Sequence, residues 1–276
     1  MQEKTRLIPN KGLCLIYIDL LIGIQEQMRD LMDFTNLLLL SMVITFIAFL
    51  YSSVGQGGGS GYIAIMGLFG LLPEEIKPTA LILNILVAGI GCIQFYRSKH
   101  LYWSNFWPFA IGSIPLAYFG GSLVLSNSVY NSLTGVFLLI SAALLFRQKT
   151  EPSTENTLLP IVPSIGCGLL VGLLSGISGL GGGVFLAPLL IVWGRMNTKQ
   201  ITAISAFLTF SNSISGILGH LMTINYLPED ILFSLGAATI GGFLGSYTGS
   251  KYLKPEKINI LLALVLVVAG IKLIIF

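Results

Sequence analysis

Gly55-Gln56-Gly57-Gly58-Gly59-Ser60-Gly61 interrupts sequence that is otherwise apolar enough for a lipid bilayer. Gly179-Leu180-Gly181-Gly182-Gly183 repeats the interruption 124 positions later. Neither run suits a helix interior, where each glycine costs about 1 kcal/mol relative to alanine. At membrane depth, irregular backbone survives only where protein buries it or a polar cavity accepts it. Two such runs in one chain point to one kind of site built twice.

Working outward, only 10% of the 276 residues are charged and 54% are hydrophobic. Soluble domains carry about 25% charged residues, so lipid rather than water is expected around most of the chain. The class is an all-α integral membrane protein, placed in the cell membrane. A net charge of +3, spread along the chain, argues against a nucleic-acid partner. Cys14, Cys92 and Cys167 have no metal-ligand spacing, and a packed, unpaired thiol fits each of them. The sequence has no CxxC, HExxH or P-loop, and Gly55-x-Gly57 followed by Ser60 fails the dinucleotide fingerprint. No cofactor and no metal is expected.

Apolar segments occupy roughly 35–54, 60–72, 78–97, 106–125 and 129–146. After a polar linker, five more occupy 158–178, 184–194, 200–221, 231–250 and 257–275. The chain thus divides into a leader (1–33), a first membrane repeat (34–146), the linker (147–157) and a second repeat (158–276). Spanning takes about 20 residues, and the segment after each glycine run is shorter. A short, glycine-interrupted segment at the corresponding place in each half is the sequence mark of a transporter site.

The offset of 124 extends well beyond the glycine runs. Gly55, Gly57, Gly58 and Gly59 align with Gly179, Gly181, Gly182 and Gly183, and Gly112, Phe119, Gly121 and Ser122 align with Gly236, Phe243, Gly245 and Ser246. Duplication accounts for matches this far apart on one offset. About ten transmembrane segments, five per half, make the copies face opposite ways, which is an inverted repeat. Loop charge agrees with ten crossings and both termini outside. One side carries Arg97, Lys99, Arg147, Lys149, Arg195, Lys199, Lys251, Lys254 and Lys257; the other carries Lys77 and Lys272. The leader's Lys4, Arg6, Lys11 and Arg29 count against this topology. Three readings stay open for the leader: a signal peptide, although its cleavage site is poor; an interfacial amphipathic helix; or translation that starts at Met28 or Met32.

A helix that opens just after a glycine turn presents free backbone N–H groups and the positive end of its dipole. Glycine also lets an anion come close to the backbone. Gly55, Gln56, Gly57, Gly58, Gly59 and Ser60 in one half, with Gly179, Gly181, Gly182 and Gly183 in the other, are therefore the candidate substrate-binding residues. The alternative is that these glycines only let helices pack closely, which is the preferred account of Gly166, Gly168 and Gly172. Asn84 and Asn212 lie within apolar segments and must find partners there. Ligand contact and interhelical hydrogen bonding stand as equal alternatives for both. Ser205, Thr209, Ser211 and Ser215 rank lower, since such hydroxyls often bond back to their own helix. Arg97 and His220 read as interface anchors rather than ligands. No Asp or Glu lies inside a well-defined span. A proton-coupled mechanism would thus have to use His220, a loop group such as Glu74, Glu75, Glu229 or Asp230, or the substrate itself.

The run from Gly55 to Trp103, the segment from Gly172 to Leu190, and the stretches Ile201 to Ser205 and Asn212 to Gly216 together resemble the sulfite exporter TauE/SafE family of membrane permeases. The likeness covers about residues 35–275. It implies two related halves with the glycine segments near the substrate path, and transport of small sulfur-containing anions such as sulfite or organosulfonates. It also implies site roles for the glycines named above and for Asn84 and Asn212. Ile204 departs from the pattern, where many members have threonine, and the leader has no counterpart.

The expected function is a secondary transporter for a small anion, sulfite or an organosulfonate, working by alternating access in the bilayer. An anion channel is the nearest alternative. A polytopic membrane enzyme would need a nucleophile, metal cluster or acid–base pair inside the bundle, and a structural subunit would not need duplicated broken helices. Homo-oligomer formation stays open.

Overall fold

A computed structural model describes residues 35–53, 56–97, 99–147, 159–193, 196, 198–223, 231–249 and 255–275. The leader, Gly55, linker positions 148–157 and the loop charges Arg195, Glu229, Asp230, Lys251 and Lys254 lie outside the described residues. The chain divides into two units at Leu39 and Leu40. Of the first unit only Thr35–Leu39, the opening turn of the first helix, is described; the helix bundle belongs to Leu40–Phe276.

Among the described residues ten helices follow one another. They are α1 (Thr35–Ser53), α2 (Gly59–Phe69), α3 (Pro73–Arg97), α4 (Trp103–Ser122), α5 (Asn127–Arg147), α6 (Ile161–Ser178), α7 (Gly183–Trp193), α8 (Thr198–Thr223), α9 (Ile231–Gly249) and α10 (Pro255–Ile275). No strand occurs among the described residues. Six of these helices, α1, α3, α5, α6, α8 and α9, are long and apolar enough to cross a membrane by length and composition alone. With 11 residues each, α2 and α7 measure about 16 Å at 1.5 Å per residue, roughly half of a hydrocarbon core of about 30 Å.

The helices match in pairs across the two halves. Both short helices have 11 residues, α3 and α8 have 25 and 26, and α5 and α10 have 21 each. Packing follows the same pairing with the halves exchanged. Helix α4 lies against α6 and α8; α9 lies against α3 and, through Gly241 and Gly245, against the backbone of Thr45 and Phe49 in α1. In the same way α2 packs on α10 while α7 packs on α5, and the pairs α3–α8 and α5–α10 join one half to the other.

Small residues set these approaches, because in lipid the hydrophobic effect gives helices no reason to associate and close van der Waals contact must do so. A Cβ on Gly168 or Gly172 of α6 would run into the carbonyls of Phe109 and Ser113 in α4. Both are packing glycines, as the sequence suggested. Gly166 is different, with nothing within 4 Å of its Cβ position. The outer surface is apolar: Leu170 is 66% exposed and Phe243 63%. Polarity goes inward, with Asn84, Asn212, Ser113, Ser175 and Ser213 buried.

Helix α3 begins earlier than the sequence-based start near residue 78. Pro73 occupies its opening position, where the missing N–H costs nothing, and the Glu75 carboxylate accepts the Leu72 N–H at 3.0 Å. This places Lys77 in the second turn of α3, 5% exposed, rather than in a loop. At the far end of α2, Gly70 (φ 81°) turns left-handed. Its N–H bonds Gly67 O, and that of Leu71 bonds Met66 O, both at 3.1 Å. This closes the helix as a Schellman turn.

Candidate functional site at the paired glycine turns

Each short helix is introduced by left-handed backbone. Gly58 (φ 98°) precedes α2, and Gly181 (φ 82°) and Gly182 (φ 88°) precede α7. A side chain at such positions costs about 1–2 kcal/mol, which explains why glycine stands there. Gly179 (φ 82°) ends α6, its N–H donating to Ser175 O at 2.8 Å.

The two turns meet at the centre of the bundle. A Cβ on Gly59 would lie 2.6 Å from the Leu180 carbonyl oxygen and would collide with the Asn84 amide nitrogen. Backbone therefore faces backbone across the junction. Asn84 of α3 joins the two runs. Its Nδ2 donates to Gly179 O at 3.3 Å and lies 2.9 Å from the Cβ position of Gly181, while its Oδ1 lies 3.0 Å from that of Gly57. Thr209 of α8 does the same from the other side. Its methyl group sits 2.7 Å from the Cβ positions of both Gly57 and Gly181, and its hydroxyl oxygen accepts the Gly183 N–H at 3.0 Å.

Asn212, one turn after Thr209, faces the second run. Its Oδ1 accepts the Ser113 hydroxyl of α4 at 2.6 Å. Its Nδ2 lies 2.9 Å from the Cβ position of Gly182 and has no hydrogen-bond partner; the same holds for Asn84 Oδ1, Ser175 Oγ, Ser213 Oγ and Gln56 Oε1. Buried polar atoms are nearly always satisfied, and these five lie at or beside the paired turns. On the outer side of the first run, Ser60 shares a hydrogen bond with Tyr51 Oη at 2.7 Å, and the Tyr62 hydroxyl folds back to 2.7 Å from the Cβ position of Gly58.

The structure brings together Gly57, Gly58, Gly59, Asn84, Gly179, Gly181, Gly182, Gly183 and Asn212. Gln56 and Ser60 are buried beside the first run. Each asparagine spends one amide atom on a neighbouring helix and leaves the other unpaired, so both alternatives have a physical basis. Sequence reasoning underrated Thr209 and passed over Ser113 and Ser175. Residue type carries little signal there, since serine and threonine recur throughout these helices. His220 is 2% exposed with an unpartnered Nε2, so it is interior rather than an interface anchor; Arg97 is exposed at the end of α3. Among the described residues, no group of His, Cys, Asp and Glu could hold a metal. The centre instead offers helix N-termini, one unpaired amide N–H, two unpaired amide oxygens and hydroxyls, without an acid among the described residues.

A family model described as sulfite exporter TauE/SafE matches residues 40–273, a range that contains both glycine turns and every helix packed around them. The chain belongs to the TauE/SafE family. Among its relatives, a protein of Sinorhizobium fredii named "Probable membrane transporter protein y4hK" is 37% identical over 238 residues, covering 85% of this chain and 96% of the relative. One of Methanocaldococcus jannaschii, "Probable membrane transporter protein MJ0441", is 26% identical over 259 residues, covering 87% and 96% respectively. No solved structure matches the chain. This TauE/SafE protein is accordingly a multi-pass integral membrane protein of a transporter family, in contact with the bilayer and with a small substrate.

Proposed function

We propose that this protein is a secondary transporter for a small anion, sulfite or an organosulfonate, and that the anion binds beside the paired glycine turns, next to Gly182 and Asn212. The observation that carries the reading is the meeting of two helix-opening turns beside a buried donor left unpaired, Asn212 Nδ2 next to Gly182. Backbone N–H groups and the positive ends of α2 and α7 would hold the anion; Asn212 Nδ2 would donate to it, and Asn84 and Thr209 would keep the turns in register. The family name supplies the sulfur oxyanion. The paired packing of the two halves supports alternating access, in which exchange of the halves' contacts would open the centre to either side in turn.

Purified protein in proteoliposomes, loaded with unlabelled sulfite or methanesulfonate, should take up the labelled anion by counterflow. Asn212→Asp keeps the size of the side chain and replaces the free donor with a charge facing Gly182. Counterflow should then fall by at least tenfold, equivalent to about 1.4 kcal/mol. Undiminished flux in a folded Asn212→Asp protein defeats the site assignment. Flux without counterflow indicates a channel, and a parent protein that moves neither anion defeats the reading.

A further inference from the structure

Among the described residues, Lys77 is the one Lys, Arg, Asp or Glu side chain that is buried. Its Nζ donates to three carbonyl oxygens at the end of α4: Gly120 at 3.3 Å, Gly121 at 2.9 Å and Leu123 at 3.3 Å. A helix C-terminus carries the equivalent of about half a negative charge, so roughly half of the ammonium charge is left uncompensated. Among the described residues no acid completes the balance. Helices α4, α5, α6 and α8 contain no Asp or Glu, and on α3 itself Glu74 is exposed and Glu75 half-buried. His220, near the end of α8, adds no negative charge.

The position of this charge matters as much as its isolation. The Cβ position of Gly179 lies 3.2 Å from the Lys77 carbonyl oxygen and 3.5 Å from Lys77 Cγ. The lysine thus packs directly behind the residue that opens the second glycine turn. Gly121, whose carbonyl it holds, abuts Gly216 of α8, one turn beyond Asn212. An unpaired cation in a weakly polarisable interior is costly by itself, and an anion arriving nearby relieves that cost.

We propose that Lys77 supplies the balancing charge for the anion at the second glycine turn, acting through the protein rather than by contact, and thereby favours doubly over singly charged cargo. This rests on the anion-transporter reading given above. Coulomb energy scales with the charge of the ligand, so the contribution of Lys77 to a dianion is twice its contribution to a monoanion, and the corresponding affinity factor is squared. Sulfate and methanesulfonate have similar shapes and differ in charge, which makes them the probes.

The test measures how strongly each anion inhibits counterflow in the parent, Lys77→Gln, Lys77→Met and Lys77→Arg. If Lys77→Gln weakens methanesulfonate about threefold, sulfate should weaken about ninefold, while Lys77→Arg keeps the parent ratio of the two. A merely structural lysine lowers both by one common factor, and that result overturns the proposal. Lys77→Met provides a second neutral variant should the glutamine misfold. If neither neutral variant folds while Lys77→Arg does, the charge serves the fold and the proposal falls. A parent without counterflow refutes the transporter reading instead, and a parent whose counterflow neither anion inhibits overturns the charge proposal.

Discussion

Gly59→Ala tests the contact between the glycine turns without disturbing left-handed backbone, because Gly59 opens α2 with a helical φ and only Gly58 beside it is positive. The added Cβ would lie 2.6 Å from the Leu180 carbonyl oxygen and 2.9 Å from its carbon. Ordinary contact begins near 3.4 Å, so the two turns must separate by about 0.8 Å or the new methyl must stay compressed. The Asn84 amide also stands in the way, but the two Leu180 atoms are backbone and cannot swing away, and overpacking of this kind costs about 1–3 kcal/mol. Better helix propensity returns about 1 kcal/mol at most. Gly166→Ala is the matched control: it also lies in a helix, meets nothing within 4 Å and should collect the propensity gain alone. The two alanine variants should thus differ by about 2 kcal/mol. For a chain of this size that is a spread of roughly 4–8 °C in melting temperature, with Gly166→Ala the higher. Thermal unfolding in detergent, followed by tryptophan fluorescence, measures it. Equal melting temperatures, or a more stable Gly59→Ala, would refute the close backbone junction.

Two further outcomes follow from hydrogen bonds at the ends of α2. Lys272→Met removes the ammonium that donates to Gly67 O at 3.1 Å and Leu68 O at 2.6 Å. Bonds to charged groups contribute about 1.5–3 kcal/mol, so the same melting assay should show a loss of several degrees, whereas Lys272→Arg should restore most of it. Tyr51→Phe leaves the buried Ser60 hydroxyl without its partner, a cost of about 1–3 kcal/mol, and Tyr51→Phe with Ser60→Ala should recover much of the loss in a double-mutant cycle.

The sequence made the helix order and the two short helices legible, because glycine runs and apolar stretches are local signals. Gly168 and Gly172 were legible for the same reason: small residues at helical spacing have one common use in lipid. Lys77 was not. A lysine preceded by Pro73, Glu74 and Glu75 looks like loop, and only the bundle shows that α3 starts at Pro73 and carries Lys77 inward to the end of α4. The two cations that counted as exceptions to the loop-charge asymmetry, Lys77 and Lys272, both prove to hold helix C-terminal carbonyls. Thr209 escaped notice because its role depends on two segments far apart in the chain, Gly57 and Gly181, coming to lie on one methyl group. His220 misled in the opposite direction, since its place near a helix end suggested the interface while the fold leaves it only 2% exposed.

The bond from Lys272 to Gly67 spans 205 residues, and this separation has a consequence for synthesis at the ribosome. Helix α2 is the second to emerge, but it is too short to cross the bilayer and its last carbonyls find their ammonium only on α10. At about 5–20 residues per second, some 10–40 seconds pass between the two. The partner turn at Gly179–Gly183 emerges roughly half-way through that interval, and the clamp at the far end of α2 only at its close. An early-made segment is therefore among the last to settle, and premature termination anywhere before α10 leaves it without a place.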